Sequence, residues 1–264
     1  AARLESGREE LGRRIAAATF ELRERKEEAE AATQAKSRFI AAASHDLRQP
    51  LHALGMFVAR LSQLPMDEPT RQLVGNLDAS VLAMQNLLDA LLDVSRLEAD
   101  SIKIRTRPTA VSELFNQVHE VLASAAADKG LRLRVRPSDA WIMTDPSLLH
   151  RILLNLVGNA IRYTEHGSVL LSCRAWGDGR LVRIEVWDSG IGIAPEYQGE
   201  VFKEFFQVGN PQRNREQGLG LGLNIVQRTA RLLGHRLHLR SALGCGTRFT
   251  IEVPRVARPN PALA

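Results

Sequence analysis

From Leu4 to Leu64 the sequence places apolar, small or long-stemmed residues at alternating four- and three-residue spacings. That pattern leaves little but one long helix. Leu11, Ile15, Ala18, Leu22, Arg25, Ala29, Ala32, Lys36, Phe39 and Ala43 fall on it, as on the seam of a coiled coil. Glu9/Arg13, Glu10/Arg14 and Glu21/Arg25 stand four apart with the acid first, which supports an exposed helix. The Ala, Arg and Lys positions weaken the seam. This suits a helix that shifts register, and equally the end of a marginal bundle. Pro50 lies inside the pattern. It has no N–H and crowds the carbonyl four residues back, that of Asp46, so the helix is expected to bend beside His45.

Leu64-Pro65-Met66-Asp67-Glu68-Pro69 breaks the helix. A second helix follows, with Leu73, Leu77, Val81, Met84, Leu88, Leu91 and Leu92 on its apolar face. Two helices joined by a short loop lie antiparallel, and a lone hairpin cannot bury both apolar faces. Pairing of two hairpins into a four-helix bundle, and therefore a homodimer, is expected.

After Ser101 the pattern changes to mixed α/β. A helix is expected from Val111 to Ala127, then an alternating strand over Leu131–Arg136. Asp145-Pro146 reads as an N-cap with proline at the first helical position, opening a helix to about Tyr163. Two strands, Ser168–Ala175 and Arg180–Trp187, flank a hairpin turn at Gly177-Asp178-Gly179. A loop-rich stretch spans Asp188–Gly220. A last helix runs from Gly222 to Leu233, and strands near Arg236–Arg240 and Thr247–Val253 close a layered α/β domain. Residues 257–264 read as a tail or linker.

Bulk properties narrow the function. The chain has 264 residues, 44% hydrophobic and 25% charged, room for two domains of ordinary composition. No apolar run reaches the length of a membrane span. Cys173 and Cys245 form no CxxC or disulfide framework, which fits a reducing, cytoplasmic setting. The charge of +5 is spread among acids with few aromatics beside it, which argues against nucleic acid as partner. The chain starts at Ala1 in helical sequence and without a leader. It reads as an excised fragment, and a membrane anchor on an upstream part stays open.

Two constellations carry chemistry. The first is Ser44-His45-Asp46-Leu47-Arg48-Gln49-Pro50-Leu51. His45 and Gln49 share a helix face, and Asp46 is placed to orient the imidazole and take its proton. Neutral imidazole is a good nucleophile near neutral pH. Alone, the pair reads as a surface histidine on a charged helix. The second lies in the α/β part. Asn155, Asn159 and Tyr163 interrupt an otherwise core-like helix, with Arg162 alongside. They read either as backbone-capped polar groups or as a site. In a site, Asn159 offers oxygen to a hard Mg²⁺, Arg162 charge for phosphate and Tyr163 a ring for a base. Asp188-Ser-Gly190-Ile-Gly192 follows a strand. Gly218-Leu-Gly220-Leu221-Gly222 opens a helix whose bared N–H groups suit a triphosphate. There is no GxxxxGK[ST], and no Rossmann strand directly precedes the glycines.

Together these motifs resemble the catalytic core of sensor histidine kinases across residues 35 to 254. Phe39 to Leu54 resembles the H-box, Asn155 to Thr164 the N-box, and Asp188 to Pro195 the G1 box. Val201-Phe202-Lys203-Glu204-Phe205-Phe206 is similar to the F-box at a lid hinge. Gly218 to Gly222 is similar to the G2 box. Gly244-Cys-Gly246-Thr247 resembles the last glycine box, expected only to support the sheet. The resemblance implies a dimeric helical-hairpin domain over 35–102, preceded by a signalling coiled coil over 1–34. A Bergerat (GHKL) ATP-binding α/β sandwich follows over 103–256. It implies His45 as phosphoacceptor, Asp46 as acid/base partner, and ATP with Mg²⁺ at Asn155, Asn159, Arg162, Tyr163, Asp188, Gly190, Gly192, Lys203, Gly218, Gly220, Leu221 and Gly222. Asp188 is implied to accept from the adenine amine, and a response-regulator aspartate to take the phosphoryl group. Gln49 stands where Thr or Asn is usual, which sets phosphatase chemistry apart. A silent scaffold of the same fold would lack an intact pocket, and a gyrase- or chaperone-like ATPase would lack the His-Asp hairpin.

Overall fold

A computed structural model describes residues 2–98, 104–208 and 220–259. The chain folds as two units, 1–102 and 103–264. The first is a helical hairpin. Helix α1, Ala2–Leu61, runs through Pro50 without a break, and α2, Glu68–Glu98, returns beside it. Exposed pairs such as Arg25–Glu21, at 2.7 Å, line α1. Asp67 caps α2: its carboxylate accepts from Thr70 N–H at 3.2 Å, and its hydrogen bonds with Thr70 hold its pKa below the ordinary value.

The expected apolar face of α2 divides in two. Val74, Val81 and Leu88, seven residues apart, are buried, and Val58 of α1 packs with the first two. Leu73, Leu77 and Met84 stay exposed, as do Leu54, Phe57 and Leu61 of α1. One hairpin therefore covers only part of its apolar surface. Burying a side chain of this size stabilises by about 1.5–3 kcal/mol, so the remainder is a large unused driving force. The side chains of Leu91 and Leu92 lie outside the described residues.

The second unit is a mixed sheet with helices on one face. Its elements are β1 (Arg107–Ala110), α3 (Val111–Asp128), β2 (Arg132–Val135), β3 (Trp141–Thr144), α4 (Pro146–Tyr163), β4 (Ser168–Trp176), β5 (Leu181–Asp188), α5 (Gly222–Leu232), β6 (Arg236–Ser241) and β7 (Thr247–Val256). Two short 3-10 turns, Pro195–Tyr197 and Glu200–Phe202, stand in the long loop after β5. The sheet order is β1-β3-β7-β5-β4-β2, with β6 also on β7. Thus β7 pairs with β5 along one edge, and with β6 and then β3 along the other. Strands β1 and β3 were not expected. They are four residues each, and β1 carries a proline.

Alternation builds the core. Val169 and Leu171, Val182, Ile184 and Val186, and Phe249, Ile251 and Val253 point inward against Leu149, Ile152, Leu153, Leu156 and Val157 of α4. The opposite face is polar: Arg183 stacks on Trp176 and pairs with Glu252 at 2.7 Å, and Arg174 pairs with Glu185 at 2.7 Å. Helix α4 starts as expected, with Asp145 accepting from Ser147 and Leu148 N–H and Pro146 at its first position.

His235, after α5, lies buried with Nε2 3.0 Å from the Thr144 hydroxyl. Burial pushes its pKa down to about 4. The unfolded chain takes up this proton near pH 6.5, while the folded protein resists until about 4. The stabilisation is therefore complete above 6.5 and lost as pH falls toward 4, by on the order of 3 kcal/mol. Chemical denaturation from pH 7 to 4 should show wild type losing its advantage over His235→Gln in that window. A pH-independent difference would contradict this account.

Candidate functional site

The end of β5 and the start of β7 pair as Asp188↔Thr247. Asp188 Oδ1 accepts from Gly190 N–H at 2.9 Å and from Thr247 N–H at 3.1 Å. Burial raises its pKa, and these two bonds act against that rise. Both bonds use one oxygen, and among the described residues Oδ2 has no hydrogen-bond donor. The glycines permit the tight fold of this turn. A Cβ at Gly190 would lie 2.3 Å from the Tyr163 carbonyl oxygen. One at Gly192, where φ is +71°, would lie 1.9 Å from that of Ala242.

The last glycine box does more than support the sheet, which corrects the expectation from sequence. Gly246, with φ +79°, lets β7 approach Asp188 so closely that a Cβ would lie 1.9 Å from the Asp188 carbonyl oxygen. Thr247 supplies the second N–H to the carboxylate. Gly244 N–H also donates to Ile191 O at 2.8 Å. Thr247 was missed because its contribution comes from the backbone. The only signal in the sequence is the Gly-x-Gly-Thr spacing.

Helix α4 and the start of α5 meet at the asparagines. Asn155 Nδ2 donates to Arg151 O at 3.0 Å. A Cβ on Gly222 would lie 3.0 Å from Asn155 Oδ1 and 3.6 Å from Asn159 Nδ2. Glycine therefore brings the amino end of α5 against the polar stripe of α4. The Asn159 side chain has no hydrogen-bond partner among the described residues, so its amide oxygen fits a hard cation. Arg162 and Tyr163 are exposed at the end of α4. Lys129, another residue missed from sequence, caps that end by donating to Ile161 O and Arg162 O at 2.9 and 2.6 Å. Leu221 is the buried N-cap residue of α5.

The segment 201–206 lies beside α5. Asn224 Nδ2 donates to Phe202 O at 2.9 Å, and Arg228 pairs with Glu204 at 2.7 Å. Phe202 packs edge-on against Phe249, as a core residue does. Gly220, at φ +69°, sits where a Cβ would meet the backbone of Phe205 and Phe206. Lys203 is exposed and pairs with Glu200 at 2.7 Å. Gly218 lies outside the described residues.

In the first unit, Asp46, Gln49 and Pro50 are exposed on α1. The backbone of His45 is helical, and its side chain lies outside the described residues. His52 and Arg48 line a small cleft of about 220 Å³ with Gln85, which donates to Leu51 O at 3.4 Å.

The structure thus brings Asp188, Gly190 and Gly192 against the β6–β7 turn, and Asn155, Asn159 and Gly222 against one another. Comparison with known proteins adds the family. Residues 35–100 match the His Kinase A (phospho-acceptor) domain, and residues 144–257 the histidine kinase-, DNA gyrase B- and HSP90-like ATPase. Virulence sensor protein BvgS of Bordetella bronchiseptica is 34% identical over 88% of this chain and 19% of its own length. Sensory/regulatory protein RpfC of Xanthomonas campestris pv. campestris is 32% identical over 86% of this chain and 32% of its own. Full-length ShkA, solved in complex with AMPPNP, superposes with a TM-score of 0.69 at 33% identity, over 85% of this chain and 47% of that one. The chain spans less than half the length of these relatives. It belongs to the sensor histidine kinases, as a phosphoacceptor helical domain followed by a GHKL-type ATPase domain.

Proposed function

We propose that this chain binds ATP at the Asp188 turn, the α4 asparagines and the α5 amino end, and phosphorylates its own His45. The observation that carries this reading is the single-oxygen clamp on Asp188. A half-buried carboxylate with Oδ1 held by two N–H groups keeps Oδ2 as an acceptor. Such a group takes the exocyclic amine of adenine and repels the carbonyl that guanine presents. Gly190 and Gly192 let the turn fold tightly enough to present that oxygen, and Tyr163 offers a ring for the base. Gly218, Gly220 and Gly222 bare N–H groups for the phosphates, with Arg162 and Lys203 adding charge. The Asn159 side chain, with Asn155 next to it, is suited to hold Mg²⁺. The ion would neutralise charge on the phosphates.

A nitrogen of His45 attacks the γ-phosphorus in line, the bond from phosphorus to the β–γ bridging oxygen breaks, and ADP leaves. Asp46 accepts the proton released from the other ring nitrogen. The phosphoryl group then passes to an aspartate oxygen of a response-regulator receiver, which restores free His45. Gln49 differs in length and shape from the usual Thr or Asn, and we assign this chain weak phosphatase activity. Incubation with γ-labelled ATP should give acid-labile, alkali-stable label on wild type and none on His45→Ala. Undiminished label on His45→Ala would overturn the assignment.

The working form is a homodimer. The exposed Leu54, Phe57, Leu61, Leu73, Leu77 and Met84 support a four-helix bundle of two hairpins. We assign residues 1–34 to a signalling helix fed by an upstream sensor, 35–102 to the bundle, 103–256 to the nucleotide domain and 257–264 to a tail. Among the described residues no helix is long and apolar enough to cross a membrane, and the site of action is the cytoplasm, where ATP and receivers are found. Sedimentation should give a dimer for wild type and a folded monomer for the Leu73→Glu, Leu77→Glu double variant. A variant that stays dimeric would refute this interface.

A further inference from the structure

Ser241 ends β6 and belongs to none of the motifs. Its hydroxyl lies at the crossing of the Asp188 turn and the β6–β7 turn. It accepts from Ile193 N–H at 2.7 Å, and it stands 2.8 Å from Gly246 O and 2.9 Å from Thr247 Oγ1. The Ser241 carbonyl accepts from Gln198 Nε2 at 2.9 Å, and the same amide donates to Ile193 O at 3.1 Å.

Counting protons fixes the directions. The Ser241 hydroxyl has one proton and two lone pairs. Gly246 O can only accept, so that proton goes there. Ile193 N–H can only donate, so it takes one lone pair. The Thr247 hydroxyl must then donate to the second. Its single proton is committed, and what remains of it can only accept. Thr247 N–H is committed as well, to Asp188 Oδ1. Thr247 thus holds the Asp188 carboxylate through its N–H and the Ser241 hydroxyl through its O–H.

We infer that Ser241 is a positioning residue for base selectivity: it ties the Asp188 turn to β7 and holds Thr247, and through it the Asp188 carboxylate, where Oδ2 meets an exocyclic amine. The ligand class it favours is a purine nucleotide with an exocyclic amine and no carbonyl at that position. The inference rests on the ATP reading above. It goes beyond it by naming a residue outside the pocket motifs that sets the selectivity. Without the hydroxyl, Ile193 N–H, Gly246 O and the Thr247 hydroxyl lose their shared partner, and the Asp188 turn loses one of its ties to β7.

The test is calorimetric titration of wild type, Ser241→Ala and Ser241→Thr with ADP and with purine riboside diphosphate, which lacks the amine. Wild type should prefer ADP. Ser241→Ala should weaken ADP about tenfold, the worth of one well-made hydrogen bond, and change the amine-free nucleotide by less than about twofold. Ser241→Thr, which keeps the hydroxyl, should recover most of the preference. Equal weakening of both nucleotides by Ser241→Ala, or an unchanged preference, would overturn the inference alone. A wild type that binds neither nucleotide would overturn the ATP reading and this inference with it. Circular dichroism checks folding. If Ser241→Ala does not fold, Ser241→Cys takes its place, with a smaller loss confined to ADP supporting the role and an equal loss refuting it.

Discussion

The two N–H groups on Asp188 Oδ1 join the turn after β5 to the start of β7. One comes from Gly190, two residues on in the same turn, and the other from Thr247, 59 positions later at the start of β7. A carboxylate in this half-buried place is costly unless it is hydrogen-bonded. Those bonds exist only while β5 and β7 hold their register, with Asp188 opposite Thr247. A slip of one residue would turn every inward valine and isoleucine of β5 outward. The hydrophobic core of the second unit and the geometry of its candidate pocket are thus fixed by one ladder. The close approaches at Gly190, Gly192 and Gly246 serve that ladder, since each would place a Cβ within 2.3 Å of a backbone oxygen.

The first unit follows a different logic. Its hairpin has a narrow seam of Val58, Val74, Val81 and Leu88, and much of its apolar surface is left uncovered. That uncovered surface is what the proposed four-helix bundle would bury. A histidine about one turn before a proline on such a helix has little meaning by itself. The second unit has its own hydrophobic core, and the proposed nucleotide chemistry is built there.

What could be read from sequence follows the range of the signal. Helix α4 was legible to its ends because Asp145-Pro146 is a local start signal and the apolar period is strong over 18 residues. The turns around Asp188 and Gly222 were legible because glycine at fixed spacing marks close approach. Strands β1 and β3 were not, since four residues carry too little alternation and their pairing is decided by the far end of β7. The face of α2 was drawn too simply: Leu73 and Val74 are neighbours, and only the partner helix decides that the valine goes inside. Thr247 and Ser241 escaped notice because one works through a backbone N–H and the other through a lone hydroxyl between distant turns. Neither leaves a periodic trace.

The central claim is that the free oxygen of Asp188 selects the base. It is tested most directly by measuring ADP and GDP affinity for wild type and Asp188→Asn, an isosteric change that turns an acceptor into a potential donor. The account predicts a strong ADP preference in wild type, and in Asp188→Asn weaker ADP binding with the preference collapsed or reversed. An Asp188→Asn protein that keeps both its ADP affinity and its preference over GDP would contradict it.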